Sequence, residues 1–112
     1  MDETQRRKAQ NEAVFREVNE RIEDVHRRFA LEDDDEGLQI VCECDRADCT
    51  ERLEVSIDVY ERVRSDSSCF FVSPGHEDPT VEDVVDSGGN YVIVRKHAGE
   101  PRDVAAETDP RR

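Results

Sequence analysis

Apolar residues in the first third of the chain recur at helical spacing. Val14, Val18, Ile22, Val25 and Phe29 lie 4, 4, 3 and 4 positions apart, a narrow stripe on one face of a helix predicted over residues 4–30. Charges of both signs cover the other faces, with Glu12–Arg16 and Glu17–Arg21 at the stabilising four-residue spacing. The acidic run 32–36 and Gly37 end the pattern. So narrow a stripe suits a helix that either packs on a small domain or pairs with a second copy or another protein.

From residue 38 the period becomes two. Leu38, Ile40, Cys42 and Cys44 alternate with Gln39, Val41 and Glu43, which predicts a strand running into a cysteine cluster. Leu53 and Val55 mark an antiparallel partner across a turn at 45–50. Ser56 is placed to cap a short helix over 57–64, with Tyr60 and Val63 facing inward. Cys69-Phe70-Phe71-Val72 reads as a third strand, apolar enough for the middle of a sheet. Pro74-Gly75 forces a turn before His76. Residues 81–86 fit either a strand or a helical turn. Ser87-Gly88-Gly89-Asn90 is a tight turn, 91–95 a final strand, and 103–107 a turn of helix before a polar, frayed end. The fold class is α+β: an N-terminal amphipathic helix (1–31), an acidic hinge (32–37), a small zinc-stabilised domain with a mostly antiparallel sheet and one or two short helices (38–97), and a polar C-terminal tail (98–112).

Composition shows why such a domain needs a staple. The chain has 112 residues, 40% charged and 35% hydrophobic, with no tryptophan, near the lower limit for a self-sufficient core. No apolar run approaches the roughly 20 residues that span a bilayer, and no leader pattern opens the chain, so a cytoplasmic setting is expected. Charge is uneven. Residues 1–30 balance seven acids with seven bases, and the remaining 82 carry the whole −13 as 22 acids against 9 bases. Such a surface repels phosphate backbones and disfavours direct nucleic-acid binding, but leaves room for a basic protein partner. Of 16 basic residues only Lys8 and Lys96 are lysine, the skew of a GC-rich coding sequence and of a source such as an actinobacterium.

Cysteine supplies the chemistry. Cys42, Cys44 and Cys49 form a CxCxxxxC segment, and Cys69 stands apart. Without a secretory context, clustered thiols read as metal ligands rather than disulfides. Residues one apart on a strand point to one face, and the following turn returns Cys49 beside them, so three thiolates converge. Tetrahedral zinc then needs one more ligand, either His76 on its Pro-Gly turn or Cys69 at the start of an apolar strand. The turn favours His76, because a loop can orient itself to complete a tetrahedron; His26 and His97 are weaker candidates. Four protein ligands close the site and make the zinc structural, although iron competes as the metal. His76-Glu77 does not extend to HExxH, since Thr80 stands at the second histidine position. A Cys69 nucleophile with His76 as base lacks a recognisable oxyanion site, and no glycine-rich phosphate loop is present.

Residues 42–49 resemble the zinc-binding segment that follows the catalytic domain of SET-type lysine methyltransferases, which has the same spacing and borrows its fourth ligand. The resemblance implies zinc and no methyl transfer. Over most of the chain, the helix segment Asn11-Glu12-Ala13-Val14-Phe15-Arg16-Glu17-Val18-Asn19-Glu20-Arg21-Ile22, the CxCxxxxC turn and Pro74-Gly75-His76-Glu77 resemble a group of small uncharacterised actinobacterial proteins with these parts in the same order. That resemblance implies His76 as the matched fourth position and leaves Cys69 outside the shared pattern. The expectation is a small regulatory or adaptor protein, not an enzyme, that holds Zn2+ on Cys42, Cys44, Cys49 and His76. It would act through protein–protein contact or self-association at Val14, Val18, Ile22 and Val25. The alternatives are a redox-responsive zinc-thiolate regulator and a zinc-dependent enzyme with an open coordination position.

Overall fold

The computed structural model describes residues 1–29 and 37–112. The acidic hinge assigned to 32–37 lies outside these residues except for Gly37. Helix α1 spans Glu3–Phe29. Its N-terminus is closed by a reciprocal cap, in which the Gln5 amide donates to Asp2 Oδ1 (2.8 Å) and the Asp2 amide to Gln5 Oε1 (3.2 Å). Strands β1 (Leu38–Val41) and β2 (Arg52–Val55) form an antiparallel hairpin with Leu38 opposite Val55 and Val41 opposite Arg52. Helix α2 (Ile57–Arg64) starts at Ser56, whose side chain accepts the Val59 amide at 3.2 Å.

A second antiparallel sheet contains β3 (Cys69–Val72), β4 (Glu82–Ser87) and β5 (Val92–Lys96) in the order β3-β5-β4, with a register shift between Val84 and Asp86. Of the segment 81–86, left open between strand and helical turn, Val81 ends a turn and the rest is strand. Helix α3 (Glu100–Glu107) follows. The β3 segment is buried throughout, as its apolar run suggests, yet it lies at the edge of the sheet and β5 holds the centre. Its outer side is covered by other means: the Phe71 carbonyl accepts the Glu43 amide at 2.7 Å, and the Phe71 amide donates to Glu43 Oε1 at 3.0 Å. The aromatic centre stacks Tyr60 on Phe71, with Tyr91 edge-on to Phe71. Gly88 makes room for Tyr91, since a Cβ there would lie 2.1 Å from the ring.

The largest departure from the hydrophobic pattern is in α1. The helix packs on the domain through Glu12, Arg16, Asn19 and Glu23, while Val14, Val18, Val25 and Phe29 are 58%, 39%, 55% and 78% exposed. The apolar stripe is therefore not core. Polar residues serve as the inner face because each finds a hydrogen-bond or ion-pair partner. Arg16 donates to the carbonyls of Ser67 (2.7 Å) and Ala105 (2.8 Å) and lies 4.5 Å over the Phe70 ring. Lys96 Nζ bridges Glu12 (2.7 Å) and Glu82 (2.6 Å).

The C-terminus differs too. Instead of fraying, it folds onto α1 and α2: Arg111 reaches Glu20 and Glu23 of α1 and Glu61 of α2, and Thr108 accepts from Arg16 at 3.1 Å.

Candidate metal centre

Period-two geometry places Cys42 and Cys44 together. The β1 ladder ends at Val41, but the Cys42 amide still donates to the Glu51 carbonyl at 3.0 Å, and the next amide, that of Glu43, turns away to Phe71. The two thiols thus face one side and Glu43 the other. A turn closed by the Cys49 amide on the Arg46 carbonyl (3.1 Å) brings back the third sulfur. The fourth position comes from the turn at 73–76, where the His76 amide donates to the Ser73 carbonyl at 2.9 Å. Pro74 takes the second place of that turn, and Gly75, at φ 90°, the third, where a side chain would be strained.

The ligand atoms of Cys42, Cys44, Cys49 and His76 lie within 4.8 Å of one another, and all four cysteines are free of disulfides. His76 Nδ1 stands 3.7 Å from Cys42 Sγ and 3.6 Å from Cys49 Sγ. Zinc bonds of roughly 2.3 Å to sulfur and 2.05 Å to nitrogen, set at tetrahedral angles, require an N···S edge of about 3.6 Å. Both N···S distances fit that edge. Each sulfur also receives a backbone amide: Ser73 donates to Cys42 (3.1 Å), Arg46 to Cys44 and Glu51 to Cys49. Three amides aimed at three sulfurs suit thiolates, which need hydrogen-bond donors more than neutral thiols do.

Electrostatics differ among the sulfurs. The hydrogen bond from Cys42 draws the Cys44 thiol down to about 5 against the opposing effect of burial, and the amide of Arg46 and the His76 ring act in the same direction. Cys42, as the donor in that pair and buried, is pushed far above the ordinary thiol range. Burial raises Cys49. Cys42 and Cys44 are buried, whereas Cys49 and His76 are half-buried.

The structure thus brings together all four predicted ligands and leaves Cys69 elsewhere. The Cys69 thiol donates to Asp66 Oδ2 at 3.5 Å. His97 pairs with Asp83 at 3.1 Å, and neither it nor His26 belongs to the cluster.

The residues that sequence reasoning missed are those that hold the CxC segment from behind. Glu43 is fully buried; its carboxylate accepts from Arg64 Nη2 (2.7 Å), Asn19 Nδ2 (2.7 Å) and the Phe71 amide. Asn19 also brackets Val41, donating to its carbonyl at 2.9 Å and accepting its amide at 2.8 Å. Asn11 donates to the Asp45 carbonyl at 3.1 Å. One signal for Glu43 was available: the alternation that turns both thiols one way turns this carboxylate the other, toward the helices.

No protein-family model, curated protein or solved structure matches the chain. The class that fold and site define is a small α+β domain with a Cys3His group able to hold a metal ion.

Proposed function

We propose that this is a cytoplasmic zinc protein whose ion is structural and whose work is protein–protein contact in a regulatory or adaptor role. The observation that carries the reading is the convergence of three sulfurs and one imidazole nitrogen within 4.8 Å, drawn from two segments far apart in sequence. Zinc supplies a cross-link there, and Cys42, Cys44, Cys49 and His76 would hold it. The hairpin turn and the 73–76 turn would then be fastened together, so that metal binding forms part of the folding free energy. A full set of protein ligands leaves no open position, which supports a structural over a catalytic role. Reduced thiols in such an arrangement suit a reducing compartment, and no helix among the described residues is long and apolar enough to cross a membrane. The contact role is supported by the exposed valines of α1, which the domain does not use for its own core.

Elemental analysis tests the metal. Purified protein should hold one zinc per chain, Cys44→Ser and His76→Ala should lose it, and Cys69→Ser should keep it. A chain that stays folded with an unchanged Tm after exhaustive chelation, or that carries iron instead, overturns the assignment.

A second reading, release of the metal on thiolate oxidation, draws on the half-buried position of Cys49. Zinc release at peroxide doses that oxidise an ordinary free thiol would favour it; a site inert at those doses would refute it.

A further inference from the structure

We infer that α1 is a self-association surface on which two copies of this chain pair through antiparallel helices, with the two-fold axis passing near Ile22. The inference rests on the proposed role in protein contact and names the partner. At 100° per residue, α1 carries two faces about 120° apart. Glu12, Arg16, Asn19 and Glu23 form the face turned to the domain, and the stripe from Val14 to Phe29 forms the other. Beside the stripe, on the side away from the domain, runs a column of alternating sign: Glu17, Arg21, Asp24, Arg28. Within one helix its members pair as Glu17–Arg21 (3.7 Å) and Asp24–Arg28 (3.1 Å).

A two-fold axis perpendicular to antiparallel helices sets such a column against the same column of the second copy. The register that places Glu17 opposite Arg28 of the second copy also places Arg21 opposite its Asp24. In that register Val18 falls between Val25 and Phe29 of the second copy, Val25 falls between its Val18 and Ile22, and Ile22 meets its own counterpart near the axis. One register therefore satisfies both the charges and the apolar side chains. A parallel pair would instead turn the column toward the flank that carries Asn19, which is buried against its own domain.

Net charge restricts the contact further. Residues 1–30 sum to zero while the rest of the chain carries −13, so two copies repel one another wherever they meet except along α1. The stripe runs about 23 Å along the helix. A contact of that length falls at or below the roughly 800 Å² per partner of a standard interface, so a micromolar dimer is expected.

Sedimentation equilibrium of the zinc-loaded full chain across the micromolar range tests the inference, with a monomer–dimer equilibrium expected. Val18→Asp with Val25→Asp alters only exposed positions, so circular dichroism and zinc content should be unchanged while association weakens at least about a hundredfold. Reversing the whole column (Glu17→Arg, Arg21→Glu, Asp24→Arg, Arg28→Glu) should preserve self-association, yet that variant should not pair with the wild type. A zinc-loaded wild type that stays monomeric throughout overturns the inference, as does a column-reversed chain that pairs with the wild type as well as with itself. A monomer that keeps its zinc and captures a different protein through the stripe would overturn the homodimer and leave the proposed function standing; failure to hold zinc is the separate failure of that function.

Discussion

Glu43→Ala is the most informative single perturbation, because the side chain lies between two cysteines of the candidate metal cluster without belonging to it. Glu43 is 0% exposed and Arg64 is 2% exposed. Truncation removes both Arg64 contacts (2.7 and 3.3 Å), the Asn19 bond and the Phe71 amide bond. The guanidinium is then left over the Tyr60 and Phe71 rings, at 4.9 and 5.5 Å, with no carboxylate. Removing one partner of a buried ion pair costs about 3–5 kcal/mol. The orphaned Phe71 amide adds part of a further ~1–3 kcal/mol. A loss of about 4 kcal/mol or more is expected from a total of roughly 5–15 kcal/mol, and with it a fall in Tm of roughly 15 °C. Thermal and urea unfolding at saturating zinc would measure this while keeping the metal bound. Arg64→Met should also destabilise, and the Glu43→Ala/Arg64→Met double variant should recover part of the loss, since neither buried charge remains to be desolvated. A cost for Glu43→Ala below about 1 kcal/mol, or a double variant as poor as the sum of the singles, would refute the reasoning.

Two further tests bear on other parts of the molecule. Burial is the chief cause that raises the Glu12 carboxyl from 4.5 to about 7, against the pull of Lys96. The folded state thus holds a proton that the unfolded chain releases; the stability this gives is complete below about 4.5 and is lost as pH rises through about 7. Wild-type stability relative to Glu12→Gln, from urea unfolding, should therefore fall between these pH values, and a flat difference would count against it. Gly75→Ala places a methyl group where nothing lies within 4 Å but φ is 90°, so its cost of about 1 kcal/mol is conformational. Chelator competition should show zinc held several-fold more weakly. Gly89→Ala, equally open and without the positive φ, should match the wild type.

Local signals were the legible part of this sequence. The Ser56 cap and the apolar spacing of 57–64 delimit α2 where it occurs, and Cys69–Val72 is the strand its residues suggest. The Cys3His cluster was legible because alternation and turn chemistry decide which side chains converge. What stayed open was the inside of α1. Hydrophobic periodicity allows the valines to face either the domain or a partner, and the inner face is chosen instead by long-range polar partners such as Ser67, Ala105, Val41 and Lys96. The same blindness put Arg111 in a polar, frayed end and gave Lys96 no structural role, when Arg111 joins Glu20, Glu23 and Glu61 and Lys96 lies buried between Glu12 and Glu82. The centre of the second sheet was misplaced because a densely apolar strand is usually flanked on both sides, and here Glu43 does the flanking for β3.

The Asn19 amide does for the hairpin what a neighbouring strand would do. Cys42 directs its amide at β2, so Val41 directs its amide and carbonyl outward, and both are met by one side chain of α1. Glu43 continues along that margin into β3. At Val41 and Glu43 this border is therefore covered by groups of the same polypeptide, and a foreign extended segment finds no free ladder there to extend. Among the described strands, β4 keeps an unmatched border, and there Asp83, Asp86 and the register shift oppose runaway stacking.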